Sequence, residues 1–128
     1  MSDRIARLEQ NIVELSALRS EGVPGRRADW ALRYGLVESV QIIIDLACQV
    51  VARRNLASPE SYRECIEALV AADLLEGQLA DSIKRMIGLR NLLIHEYDDV
   101  DTARLLPLLD RLDDLRAFAN WYVNLDSE

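Results

Sequence analysis

Between Leu32 and Val51 the residues Leu32, Leu36, Val37, Val40, Ile43, Ile44, Ala47 and Val51 recur at helical spacing. Together they make an apolar stripe too broad for a helix that touches a core on one side only. Such a helix has to be surrounded, so the rest of the chain must supply the elements that cover it. The spacing predicts a helix running to about Arg54, with Asp29 as its N-cap and the basic pair Arg26-Arg27 in the loop before it. Its most apolar stretch, Val40–Val51, is interrupted by Gln41, Asp45 and Gln49 and falls short of the ~18 consecutive apolar residues of a membrane span. No transmembrane helix and no membrane partner are expected.

Four further segments carry the same period. From Ser2 to about Ser20, the residues Ile5, Leu8, Ile12, Leu15 and Leu18 define one face, ended by Gly22, Pro24 and Gly25. This nearly strict spacing suits packing within the bundle or one half of a dimer seam. Ser58-Pro59 reads as an N-cap followed by proline at the first helical position, opening a third helix with Ile66, Leu69 and Val70 on one face and an end near Asp73–Gly77. A fourth helix spans about Leu79 to Ile94, where Gly88 is expected to permit close backbone approach by a neighbouring helix. The last runs from Asp101 or Thr102 to about Asn124, with Pro107 either starting or bending it. Five glycines and three prolines are too few for the many turns of an all-β chain. The expected fold is all-α: an antiparallel bundle of about five helices forming a single domain over residues 1–128.

With two cysteines, Cys48 and Cys65, no CxxC spacing and one histidine, a four-ligand zinc site cannot be assembled within a monomer, and no metal or cofactor is expected. The cysteines read as two buried reduced thiols. The N-terminal Met1-Ser2-Asp3-Arg4-Ile5-Ala6-Arg7 has no apolar run of the secretory kind, so a cytoplasmic location is expected. A net charge of −7 repels nucleic acid as a whole, so any RNA contact must be local. Lys84 is the sole lysine, and arginine is the cation suited to bidentate phosphate contact.

Chemistry concentrates in Arg90-Asn91-Leu92-Leu93-Ile94-His95-Glu96-Tyr97. His95 is the one side chain whose unperturbed pKa lies near neutrality. On an ideal helix Asn91 and His95 share a face, whereas Arg90 and His95 point ~140° apart. Either the helix ends near His95, or the bundle or a dimer brings the two together. A histidine that moves a proton beside an arginine that holds a phosphate is the minimal equipment for metal-free RNA cleavage through the 2′-hydroxyl. The bland alternative is a histidine placed favourably at a helix C-terminus. Arg33 reads as an ion-pair partner of Glu38 or Asp29, and Trp30, Trp121 and Tyr122 as core or interface anchors.

Arg90, four intervening residues, His95, one residue and Tyr97 resemble the Arg-x(4–6)-His-x-Tyr motif of the HEPN superfamily. The string RNLLIHEYDDVD is similar to its HepT-type toxin branch. Arg33-Tyr34, Ser61-Tyr62-Arg63, Met86-Ile87-Gly88-Leu89-Arg90-Asn91 and Leu112-Asp113-Asp114-Leu115 extend the likeness over roughly residues 29 to 124.

The resemblance implies an RNA-cleaving toxin that forms homodimers, with the motif in a cleft at the subunit interface. It implies Arg90 orienting the scissile phosphate, His95 as general acid or base, and Asn91 in support. It further implies a small nucleotidyltransferase antitoxin of the MNT type that silences the toxin by transferring AMP to Tyr97. The competing reading is a non-catalytic, nucleotide-binding adaptor that holds such a nucleotidyltransferase, which the acidic surface favours.

Overall fold

The computed structural model describes residues 3–126. Its α-helices are α1 (Asp3–Glu21), α2 (Gly25–Arg53), α3 (Tyr62–Ala71), α4 (Gly77–His95), α5 (Thr102–Leu109) and α6 (Leu112–Asp126), with one 3-10 turn at Tyr97–Asp99. No strand occurs among the described residues. The expected start of the first helix at Ser2 lies outside them.

α2 is the centre of the bundle, packed by α1, α3, α4 and α6. Its buried residues include every position of the broad stripe except Val37, which is partly buried against the core. By length and hydropathy α2 would suffice to cross a bilayer, but its apolar residues are spent inside the bundle. Ile5, Leu8, Ile12 and Leu15 of α1 are buried against the same chain, which resolves the choice between bundle and dimer seam in favour of the bundle. Phe118 and Leu115 of α6 close the core from the far end of the sequence.

Three boundaries differ from the sequence expectation. α2 begins at Gly25 behind Pro24, so Arg26 and Arg27 lie in its first turn and Asp29 is not a cap. Val23 at φ 52° and Gly22 at φ 79° turn the chain from α1, and both N–H groups bond back to the Leu18 carbonyl. That closure leaves Gly25 free to start the helix at once. α3 begins three residues after Ser58-Pro59, because Ser61 is its N-cap: the Glu64 N–H donates to Ser61 Oγ at 3.2 Å, while the Glu64 carboxylate accepts from the Ser61 hydroxyl and from the Glu60 N–H. The fifth segment is two helices. Pro107 lies inside α5, where it offers no N–H to the preceding turn; two residues on, α5 ends in tight bonds from Asp110 and Arg111 to the carbonyls of Pro107 and Leu108.

The expected reduced thiols are not found. Cys48 of α2 and Cys65 of α3 form a disulfide, with Cα atoms 5.3 Å apart. Seventeen residues separate them along the chain, and only the packing of α3 on α2 brings the two positions face to face.

Candidate functional site

Arg90, Asn91 and His95 line one cavity of about 590 Å³ between α3 and α4, together with Ser61, Tyr62 and Arg63. α4 ends at His95, with the Glu96 N–H closing its last turn on the Leu92 carbonyl at 2.7 Å. Arg90 and His95 both lie within α4, and the exposed His95, at its last residue, lines the same cavity as Arg90.

The Arg90 guanidinium is held from three sides. One Nη donates to Asn91 Oδ1 at 2.9 Å, the other to the Gln41 side-chain oxygen on α2, and the guanidinium carbon stands 5.5 Å from the ring centroid of Tyr62. Gln41 is itself oriented, its amide donating to Asp45 at 2.9 Å. The Arg90 Nε–H is buried and has no partner among the described residues, so one donor of the fork is uncommitted. A half-buried arginine whose rotamer is fixed by neighbours pre-pays the ordering cost of gripping an anion.

Arg63 was not singled out for chemistry by the sequence, nor was Gln41. Arg63 brings a second guanidinium to the cavity wall and lies over Gly88, where an added Cβ would come within 3.3 Å of its Nη2. What approaches closely at Gly88 is thus this side chain and not the backbone of a neighbouring helix, as the sequence suggested. The signal for Gln41 was present: Gln41, Asp45 and Gln49 stand at i, i+4 and i+8, a polar line on an otherwise apolar helix. Gln49 accepts from the Tyr122 hydroxyl at 3.1 Å, which completes that line.

Tyr97 does not line the cavity of Arg90 and His95. It opens on a second cavity of about 340 Å³, lined by Arg26, Asp29, Trp30 and Arg33 of α2 and by the segment from Asp98 to Thr102. Arg33, 7% exposed, sits under it: its guanidinium carbon lies 4.8 Å from the Tyr97 ring centroid, and its Nη groups donate to the carbonyls of Tyr97 and Val100. Its Nε pairs with Asp29 at 3.0 Å, as one of the two expected ion pairs. Burial alone would raise the Asp29 pKa, but hydrogen bonds from Thr102 and Arg33 and the Arg33 charge outweigh it and hold the carboxyl below its ordinary value. Tyr97 itself is 44% exposed.

The three candidate anchors divide. Tyr122 is buried, and Trp121 packs on Phe118 with its indole N–H donating to the Leu74 carbonyl. Trp30 is no core residue: it is 52% exposed, with the Arg26 guanidinium 4.5 Å over its ring. Helical period accounts for this: Trp30 stands four residues before the exposed Tyr34, on the face beside the Tyr97 turn and off the apolar stripe. Among the described residues no three His, Cys, Asp or Glu side chains are grouped to hold a metal ion.

Comparison with known proteins gives a consistent picture. A family profile described as "Ribonuclease HepT-like" matches residues 1–120. The mRNA nuclease HepT of Shewanella oneidensis is 25% identical over 103 residues, covering 77% of each chain. A putative RNase of Archaeoglobus fulgidus is 26% identical over 85 residues, 66% of this chain and 64% of that one. Among solved structures, a tri-AMPylated Shewanella oneidensis HEPN toxin in complex with an MNT antitoxin superposes with a TM-score of 0.87 at 22% identity over 100% of both chains. At that identity the likeness speaks for the fold.

Proposed function

The chain belongs to the HepT-like ribonuclease family, and from that premise we propose that it is the toxin of a toxin–antitoxin pair, an endoribonuclease that cuts RNA without a metal ion. The observation that carries this is that Arg90, Asn91 and His95 line one cavity at the C-terminal end of α4. The Arg90 guanidinium, steadied by Gln41 and Asn91, grips the scissile phosphate and stabilises the charge that builds on it. His95 takes the proton from the ribose 2′-hydroxyl, or gives one to the departing 5′-oxygen. The 2′-oxygen bonds to phosphorus, the bond from phosphorus to the 5′-oxygen breaks, and a 2′,3′-cyclic phosphate and a 5′-hydroxyl end are left.

One histidine serves one of these two proton transfers. A homodimer that sets the cavities of two subunits side by side supplies a second His95 for the other. The toxin works in the cytoplasm, where RNA and ATP are at hand, and its antitoxin is an MNT-type nucleotidyltransferase. Silencing is by AMPylation: the Tyr97 phenolic oxygen bonds to the α-phosphorus of ATP, the bond to pyrophosphate breaks, pyrophosphate leaves and the phenolic proton passes to solvent. Support for this target comes from the exposure of Tyr97 on a turn held rigidly by Arg33.

The test is RNA cleavage in EDTA by the purified protein, by His95→Ala, and by protein pre-incubated with the nucleotidyltransferase and ATP. Cleavage by the first alone, with a mass gain of one or more AMP units at Tyr97 in the third, is the expected result. The acidic pI of about 4.7 favours a second reading, an adaptor that binds the nucleotidyltransferase and cuts nothing. Binding of the nucleotidyltransferase by unmodified protein that leaves RNA intact would establish the adaptor instead.

A further inference from the structure

The cavity in front of Tyr97 has features that neither RNA cleavage nor the packing of the bundle uses. Trp30, the larger of its two aromatic rings, is half-exposed although the core has room for such side chains elsewhere, as at Trp121. Arg26 lies on that ring and has no carboxylate partner among the described residues. It stands in the first turn of α2, where no side chain caps the helix and the positive end of the dipole adds to its charge. Arg33 forms the floor and is neutralised by Asp29.

We propose that this cavity is an adenosine-binding subsite, in which the adenylyl group carried by Tyr97 folds back so that its base stacks on Trp30 and its phosphate meets Arg26. The inference rests on the reading of Tyr97 as the AMPylated residue. A space of about 340 Å³ lies within the range of small-ligand pockets. An indole face is a general platform for a nucleobase, and an arginine resting on that face is placed for a neighbouring phosphate. Charge selects the occupant. Asp29, Asp98 and Asp101 share the cavity with only two guanidiniums, so a run of RNA bringing one negative charge per nucleotide is disfavoured. A tyrosyl adenylate is a phosphodiester with a single negative charge, and its covalent link makes the stacking intramolecular.

Docking there gives the modification an anchored geometry. The base and phosphate stay pinned beside the turn that follows His95, and Tyr97, two residues beyond His95, cannot swing freely in solvent. The Arg90 cavity, which shares no lining residue with this one, is left structurally intact, so the modified toxin is ready again once AMP is removed.

The test uses the full chain labelled with 5-fluorotryptophan and treated with the nucleotidyltransferase and ATP. The two fluorine signals are assigned with Trp30→Phe. Displacement of the Trp30 signal alone, persisting after the nucleotidyltransferase is removed, is expected. A phosphodiesterase should also release AMP about tenfold faster from modified Trp30→Ala and Arg26→Ala than from the modified parent chain. A mass gain at Tyr97 with an unmoved Trp30 signal and equal release rates overturns the subsite and leaves the AMPylation reading standing. No mass gain at Tyr97 overturns that reading and the subsite with it. Displacement of Trp30 by the nucleotidyltransferase without ATP makes Trp30 a protein-docking residue and also overturns the subsite.

Discussion

The guanidinium carbon of Arg33 stands 4.8 Å from the ring centroid of Tyr97, and the same side chain donates to the Tyr97 carbonyl at 3.1 Å. One buried residue of α2 therefore holds both the backbone and the ring of the tyrosine that follows the helix end. The ion pair with Asp29 neutralises its charge, and the carbonyls of Tyr97 and Val100 fill two more donors. Removing it leaves Asp29 and two carbonyls without their partner. Arg33→Ala is expected to lose about 3–5 kcal/mol of stability in urea unfolding, within the range for breaking a buried pair from one side. A loss below about 1 kcal/mol means that water replaces these bonds and that the turn is held by other contacts.

The same pair makes stability depend on pH in a defined direction. The Asp29 pKa is lowered on folding, so its unfolded form binds protons first as pH falls. Its stabilisation is fully present above the ordinary value of 3.8 and is lost as pH drops through the lower folded value. Asp29→Asn removes that contribution, and the stability gap between parent and variant is expected to narrow steadily as pH falls below the ordinary value of 3.8. Melting temperatures of the two proteins across this range check it; a constant gap shows that Asp29 contributes through its hydrogen bonds and not its charge.

The bundle and the pairing of Arg33 with Asp29 were legible because both follow from helical period: a broad stripe must be covered, and residues four apart meet. The capping of α3 was legible in principle, since Ser61 and Glu64 have the reciprocal spacing, but Ser58-Pro59 offered a competing start that only the packed structure rejects. The cavity that Arg90 and His95 share is walled on its other side by Ser61, Tyr62 and Arg63, and that packing is one that no local period reveals. Cys48 with Cys65, Gln41 with Arg90 and Trp30 with Tyr97 are all pairs between elements. A one-dimensional pattern shows each partner as a plausible core or surface residue and is silent on the meeting.

Gln41 acts through Arg90, which makes it a positioning residue with a distinguishable signature. Gln41→Leu keeps the side-chain volume in α2 but removes the acceptor for Arg90. RNA cleavage is expected to fall about 10- to 100-fold, the scale of losing orientation of a reacting group. Under the proposed mechanism the pH profile of cleavage should keep its shape, since His95 is untouched. A changed profile, or unaltered cleavage, argues that Arg90 holds its place without α2.

The disulfide between Cys48 and Cys65 ties α3 to the central helix across 17 residues. A loop of that size predicts about 3 kcal/mol of stabilisation through restriction of the unfolded chain. The double variant Cys48→Ser, Cys65→Ser should unfold at correspondingly lower urea concentration, and denatured protein should take up a thiol-alkylating reagent only after reduction. Two alkylated sulfurs without a reductant would return the pair to the free thiols that the sequence suggested.

Gly88 separates the cost of a helix from the needs of the site. Glycine inside α4 disfavours the helix by about 1 kcal/mol relative to alanine, so a residue with a side chain would be the stable choice if space allowed. The atom an added Cβ meets is Arg63 Nη2 at 3.3 Å, the far end of an exposed, flexible side chain, and no backbone lies as near. Arg63 can give way by a few tenths of an ångström, so Gly88→Ala is expected to raise stability by about 0.5–1 kcal/mol. The guanidinium then moves relative to Arg90 and His95, and RNA binding should weaken while the fold gains. Thermal unfolding and RNA affinity measured on the same preparation decide it. A fall in stability shows that Arg63 is fixed in place and that Gly88 is there to admit it; unchanged affinity shows that the second guanidinium of the cavity does not touch RNA.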